Sequence, residues 1–265
     1  MNLIAFYLRV LTPFVQSYTQ VVQYLSCVMS EPSTKPSNSL LDNLPSPLST
    51  LLFEKGSKMR MDFGQILGRA GEPTLAVYFP LTGFISQVAG MEYQKPLEVG
   101  MIGREGMLGA HLLLGIHTAP SNAIVQGDGL ALEIPSKIFV GLLTQNLKLN
   151  TLLKHYLFVQ FIQLTQGCLC QSFHSLSSRL AKWLLMSHDR ARHENFYLTH
   201  QFIADMLGVR RSAVTIAAGQ LQDKNIIQYS RGYINILNRL ELEARACECY
   251  QLDRKHYKQQ LNLSD

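Results

Sequence analysis

The sequence predicts an α+β chain in three parts: a β-rich first half, one long helix, and a closing helix–turn–helix with a hairpin. Short apolar runs punctuated by Gly and Pro extend to about residue 140. From Ser136 to about Ser172 there is no Pro and only two Gly, and apolar residues recur three and four apart. After Thr199 come a short capped helix, a glycine and a second helix that opens on two arginines. Short strands separated by turn signals mean a sandwich or barrel, and a period near 3.6 means helix.

Composition sets the bounds. The 265 residues are 47% hydrophobic and 16% charged, against roughly 25% charged in average domains. Such a chain buries a core, which excludes intrinsic disorder and a histone-like polycation. Its net charge is +5, and residues 179–240 hold nine basic residues against four acidic ones. That segment therefore carries the whole surplus. A localised basic surplus fits a polyanion, nucleic acid first, with a solvated face as the alternative.

The elements follow in order. Val10–Ser30 is uncharged but rich in Gln, Ser, Thr and Tyr and holds Pro13. It makes a poor membrane span and a poor signal peptide. A polar, Pro/Ser-rich stretch follows Met29, so Met29 is read as the start and residues 1–28 as upstream sequence. Leu40–Leu44 with Pro45 and Pro47 reads as a short helix and turn. Strands are expected at 64–67, 75–79, 83–88, 97–99, 123–125 and 131–134. In the long helix, Leu149, Leu153, Tyr156, Leu157, Phe161 and Leu164 leave apolar side chains on more than one face. Such a helix must be buried on more than one side, by its own domain and by a second copy. Lys154, His155 and several Gln weigh against a membrane helix. Leu176, Leu180, Trp183 and Leu184 resume the helical pattern, and His188–Glu194 reads as a polar, solvated break. The expected division is 1–39 leader, 40–140 β domain, 141–174 dimerisation helix, 175–250 DNA-binding domain and 251–265 tail.

Residues 198–237 carry the function. Thr199 can cap a short helix with its hydroxyl, and Ile203, Ala204 and Leu207 form its apolar side. Gly208 suits the left-handed residue that ends it, and Val209 is the pivot of the turn. Arg210, Arg211 and Ser212 open a second helix whose inner face is Val214, Ala217, Ala218 and Leu221. This is the helix–turn–helix layout. Arg can read guanine and Ser or Thr can reach bases or phosphates, which makes Arg210, Arg211, Ser212 and Thr215 candidate contacts. Thr199, His200 and Gln201 at the start of the first helix join them. Two alternating runs around Ser230, Arg231 and Gly232 form a hairpin with a basic tip, suited to the phosphate backbone.

Cys27, Cys168, Cys170, Cys247 and Cys249 are odd in number and lack His at zinc-finger spacing. They read as reduced thiols of a cytoplasmic protein, with no metal expected. No Ser/His/Asp motif, Walker loop or nucleophile elbow appears, so no catalytic residues and no enzyme are expected.

Residues 40–250 resemble the Crp/Fnr family of bacterial transcription regulators. The carrying segments are Val77-Tyr78-Phe79-Pro80, Val99–Gly106, Arg179–Met186 and the helix–turn–helix with its wing. The resemblance implies a cyclic-nucleotide-binding-like β-roll, a long dimerisation helix and a C-terminal winged helix. It also implies double-stranded DNA and a second copy as partners, RNA polymerase as a further one, and no membrane. The ending Ala246–Tyr250 resembles a subgroup with uncharacterised effectors, in which it reads as structural. By the same resemblance the effector pocket falls on Gly106, Met107, Leu108, Gly109, Ser121 and Asn122. Met107, Leu108 and Ala110 surround the turn where the family's cyclic-AMP receptors place a Glu, and Ser121-Asn122 replaces their Arg-Ser. A cyclic phosphate loses its charge-assisted partner there, so cyclic AMP is not expected. Cys27 alone cannot hold the iron–sulfur cluster of the oxygen-sensing branch, and His111 and His117 read as loop or packing residues rather than haem ligands. The effector stays unknown. Arg211 matches a DNA-contacting Arg of the family, whose Glu falls on Ser212 and later Arg on Ile216.

Two functions follow. One is a dimeric regulator on a pseudo-palindromic operator; the other is a sensor module that uses its winged helix for protein contacts. The basic surplus favours the first.

Overall fold

The computed structural model describes residues 37–90, 96–191, 195–230 and 232–261. The expected start at Met29, Cys27 and Arg231 lie outside them. The chain opens with helices α1 (Ser39–Asp42) and α2 (Ser46–Lys55). Asn38 fixes the entry. Its Oδ1 accepts from the amides of Leu40 and Leu41, and its Nδ2 donates to the carbonyls of Pro80 and Gly106, each at 2.9 Å. A fully buried Asn is tolerable because both ends of its amide are satisfied.

The β domain contains β1 (Ser57–Met61), β2 (Ile66–Gly68), β3 (Ala76–Pro80), β4 (Phe84–Ala89), β5 (Leu97–Ile102), β6 (Asn122–Gly127) and β7 (Gly129–Pro135). A 3-10 turn spans Ala110–Leu114. The strands form two antiparallel sheets, ordered β1-β7-β3 and β2-β6-β4-β5. Met61, Tyr78, Ile85, Ile102 and Val125 fill the space between the sheets. Val77, Phe79, Leu132 and Ile134 point the other way, into a second core with the helices. Strand β3 is therefore covered on both faces, which explains its unbroken apolar run. Gly83 has φ +71°, and a Cβ there would collide with the Gly127 and Asp128 carbonyl oxygens. Only glycine allows this close turn between β3 and β4.

The helical pattern from Ser136 divides into α3 (Ser136–Gln145) and α4 (Leu147–Phe173). Asn146 interrupts it in extended conformation, with its Nδ2 donating back to the Leu142 carbonyl at 2.9 Å. Side-chain competition for backbone groups is what makes Asn a helix breaker. On α4, Leu149, Leu153, Tyr156 and Val159 are buried against the β domain. Phe158, Phe161 and Leu169 lie away from that face and Leu164 on its flank, and all four are exposed, Phe161 by 67%. Among the described residues no helix is long and apolar enough to cross a membrane.

The expected polar break after Met186 is corrected at its first half. Helix α5 (Leu176–Ala191) runs on through His188, Asp189 and Arg190. Arg190 is a buried tether rather than a solvated linker residue. Its Nε and Nη2 both lie 2.7 Å from Glu105 Oε1, in the loop after β5. His193 and Glu194 lie outside the described residues.

The C-terminal domain continues with β8 (Asn195–Tyr197), α6 (His200–Met206), α7 (Arg211–Asp223), β9 (Ile227–Ser230), β10 (Tyr233–Ile236) and α8 (Arg239–Arg245). Its sheet is antiparallel, ordered β8-β10-β9. The segment expected as a tail from residue 251 lies instead within a helix, α9 (Cys249–Leu261). Besides Cys249, which opens it, its buried positions are Tyr250, Asp253, Tyr257 and Leu261, a spacing of three and four that places them on one face. That face lies along α4: Tyr257 bonds Gln163, and the Gln260 carbonyl lies 3.2 Å from His155 Nδ1.

Candidate nucleic-acid interface

Local chemistry builds the helix pair. Thr199 Oγ1 accepts from the Phe202 amide at 3.1 Å and caps α6. Gly208 adopts φ +64°, and the Val209 amide returns to the Ala204 carbonyl at 2.9 Å. This closes the turn and aims α7 across α6. On α7, Val214, Ala217, Ala218 and Leu221 are buried, and the two alanines allow close approach to α6. Arg210 precedes the helix, and Arg211, Ser212 and Thr215 stand exposed on its outer side with the 64% exposed Ile216. The first turn of α7 thus offers two guanidinium groups, a hydroxyl and an apolar contact on one surface. That set can address guanine edges, phosphates and thymine methyl groups.

Not every expected contact is free. The His200 ring stacks on Tyr229 with centroids 4.1 Å apart, and its Nδ1 lies 3.0 Å from Thr215 Oγ1. Burial and the nearby Arg211 lower its pKa, so it braces α6 against α7 and the wing as a neutral ring. Thr215 also donates to the Arg211 carbonyl, and Gln201 donates to Asp205 at 2.8 Å. Gln222 Oε1 accepts from the Tyr229 amide and ties the wing to α7. In the wing, Ser230 is exposed, Gly232 is buried with φ +88°, and Arg231 lies outside the described residues.

The basic surplus needs correction. Of its nine cations, Arg179 donates to the Leu207 carbonyl at 2.6 Å, and Lys182 pairs with Asp253 at 3.1 Å. Arg190 pairs with Glu105, and Arg239 with both Asp189 and Glu243. Four of the nine therefore hold the fold together. Among the described residues this leaves Arg210 and Arg211 exposed at the start of α7 and Lys224 exposed at its end, which a count along the chain could not distinguish; Arg192 and Arg231 lie outside the described residues.

Of the expected effector residues, Gly106–Gly109 are packed against α4 and β3, and Asn122 is bonded elsewhere in the β domain. The Tyr156 hydroxyl donates to the Met107 carbonyl at 3.1 Å, and a Cβ on Gly106 would strike that hydroxyl. Leu108 exchanges two backbone hydrogen bonds with Tyr78. Gly109, at φ +97°, backs onto Val77. Asn122 Oδ1 accepts from the Ala70 amide at 3.1 Å, and Ser121 beside it is half-buried.

The two domains are braced together. Leu207 accepts a second bond, from Gln171, and Phe202 of α6 lies 6.3 Å from Phe63, ring to ring. Glu98 of β5 accepts from Trp183 of α5 at 2.9 Å and from Ser86 at 2.5 Å. Burial pushes this carboxyl up to about 7, against opposing pulls from Ser86, Trp183, Arg190 and Gln126. A carboxyl whose folded pKa lies above its unfolded value stabilises fully below the carboxylate range and loses that contribution as pH rises toward about 7. Glu98→Gln keeps an acceptor for Trp183. It is expected to raise the melting temperature at pH 8 and leave it nearly unchanged at pH 5. Parallel melting profiles of the two proteins from pH 5 to 8 would refute this role for Glu98.

Sequence reasoning also missed a cluster. Cys170, Cys247 and Cys249 do not stand apart as isolated thiols, but meet at His174.

A β domain, a long helix with exposed apolar side chains and a helix–turn–helix with a hairpin wing define a chain of the winged helix–turn–helix class. Residues 178–245 match the Crp-like helix-turn-helix domain. A transcriptional regulator of the Crp/Fnr family from Eubacterium rectale superposes with a TM-score of 0.62 at 17% identity, over 78% of this chain and 96% of that one. FixK2 from Bradyrhizobium japonicum does so with 0.59 at 16% identity, over 72% and 98%. The c-di-GMP-responsive regulator CLP of Xanthomonas campestris gives 0.59 at 14%, over 72% and 99%. No curated protein matches the chain by sequence. The C-terminal domain is a Crp-like helix-turn-helix domain, and the chain has the fold of the Crp/Fnr transcription regulators.

Proposed function

We propose that the chain is a sequence-specific transcription regulator that binds a pseudo-palindromic operator as a homodimer. The observation that carries this is the exposed first turn of α7, where Arg210, Arg211 and Ser212 stand opposite a fully packed inner face. The uncovered apolar side of α4 supports pairing with a second copy, which would set two reading helices about one helical turn (~34 Å) apart. The β domain then acts as a sensor-like module whose effector is unknown. RNA polymerase is a further partner in this reading, and the cytoplasm is where the protein meets its DNA.

Arg211 is the residue to test. Arg211→Ala is expected to weaken binding to the operator by about 1–3 kcal/mol and to relax preference at one base position. Operator sequences are first selected from bound genomic fragments, and affinities are then compared by gel shift at one fixed salt concentration. Unchanged affinity and unchanged preference would overturn the assignment of α7 as the reading helix.

A further inference from the structure

The cysteine cluster is built from two stretches of chain, 170–174 and 247–249. Cys170 lies in the last turn of α4, and His174 is the extended residue that ends that helix. Cys247 follows α8, and Cys249 opens α9. All three cysteines are buried, Cys249 completely. The Cys170 and Cys247 sulfurs are 3.6 Å apart, and the Cys249 sulfur is 3.4 Å from His174 Nδ1. All four donor atoms lie within 4.8 Å of one another.

These distances have a chemical meaning. A tetrahedral zinc ion with Zn–S near 2.3 Å and Zn–N near 2.0–2.1 Å sets its ligands about 3.8 Å apart for two sulfurs and about 3.6 Å for sulfur and nitrogen. The Cys170–Cys247 and Cys249–His174 distances fall close to those edges. The surroundings fit as well. His174 Nε2 lies 3.2 Å from Glu248 Oε1, the outer carboxylate that orients a metal-bound imidazole. Gln166 Nε2 donates to the Cys249 sulfur at 3.0 Å. The positive charges of Lys182 and Arg179 act on Cys170 and offset part of the thiolate charge. A disulfide between Cys170 and Cys247 would use only two of the four convergent donors.

We propose that Cys170, His174, Cys247 and Cys249 bind one zinc-type divalent ion in a closed, structural Cys3His site. Four protein ligands leave no open position, so the ion is a clamp and not a catalyst. The clamp stands where the DNA-binding domain begins, at the α4–α5 break, and where it ends, between α8 and α9. One ion would thus fasten both ends of that domain to the dimerisation helix. This goes beyond the regulator reading and stands independently of it.

The test uses the full chain, purified reduced and without chelator, and titrated anaerobically with Co2+. About one equivalent is expected to give tetrahedral d–d bands with thiolate charge transfer, and Zn2+ is expected to displace it. Cys247→Ser and Cys249→Ser are expected to abolish the bands, and the exposed Cys168→Ser to retain them. Because the cysteine variants can fail to fold, Glu248→Gln supplies a milder probe, with affinity lowered 10–100-fold. The proposal is overturned if the native chain gives no tetrahedral bands, if Cys249→Ser keeps them, or if Cys170 and Cys247 form a disulfide in the presence of excess zinc. The readout needs no DNA, and Arg211→Ala is expected to bind the metal normally, so the two readings fail separately.

Discussion

Replacing Phe161 with glutamate is expected to leave the chain monomeric at concentrations where the proposed homodimer of the native chain forms. Phe158, Phe161 and Leu169 are exposed on the side of α4 away from the buried Leu149, Leu153, Tyr156 and Val159, with the exposed Leu164 on the flank. The helix is thus held to its own domain by one face and leaves apolar side chains exposed, where the proposed second copy would pack. In a two-fold pair each substitution acts twice. Removing two buried phenylalanines costs about 1.5–3 kcal/mol each, and the two carboxylates add repulsion across the symmetry axis. A loss of about 3–6 kcal/mol weakens dimerisation by more than about 100-fold. Light scattering coupled to size-exclusion chromatography measures the state, and gel shift on the full operator should show a loss that a single half-site does not. A variant that stays dimeric at micromolar concentration would place the interface elsewhere.

Arg190→Ala is expected to destabilise the fold by about 3–5 kcal/mol, the cost of stripping one partner from a buried pair. Only 9% of the Arg190 side chain and 17% of the Glu105 side chain are exposed. Glu105 Oε1 also accepts from the Gly103 amide at 3.1 Å, and Arg190 Nη1 donates to the Met186 carbonyl at 3.0 Å. Without the guanidinium, the Glu105 charge is stranded between α5 and the β domain. For a chain of this size the melting temperature should fall on the order of 10 °C. The double variant Arg190→Met, Glu105→Leu should recover most of the loss, because an apolar pair carries no desolvation cost. If the single and double variants melt alike, packing and not the ion pair holds this joint.

The helix–turn–helix was legible because every device in it is local. The Thr199 cap reaches three residues, the Gly208 turn needs one positive φ, and the inner face of α7 repeats at helical spacing. The same locality made the outer residues nameable, Arg211 among them. His200 and Thr215 were nameable too, but their mutual contact and the stacking on Tyr229 depend on the wing folding back. Helix α9 carried a usable signal, buried positions at 250, 253, 257 and 261, hidden by a polar composition.

By itself the sequence determined the α+β class, the apolar long helix and the helix–turn–helix whose second helix opens on Arg211, since capping, turn chemistry and hydrophobic period act within about one or two turns of chain. The tertiary structure alone decided which charges face outward and which thiols meet. Arg190 finds Glu105 across 85 residues and Cys170 finds Cys247 across 77. Partners that far apart are chosen by the packing of whole elements, and no spacing rule along the chain encodes them.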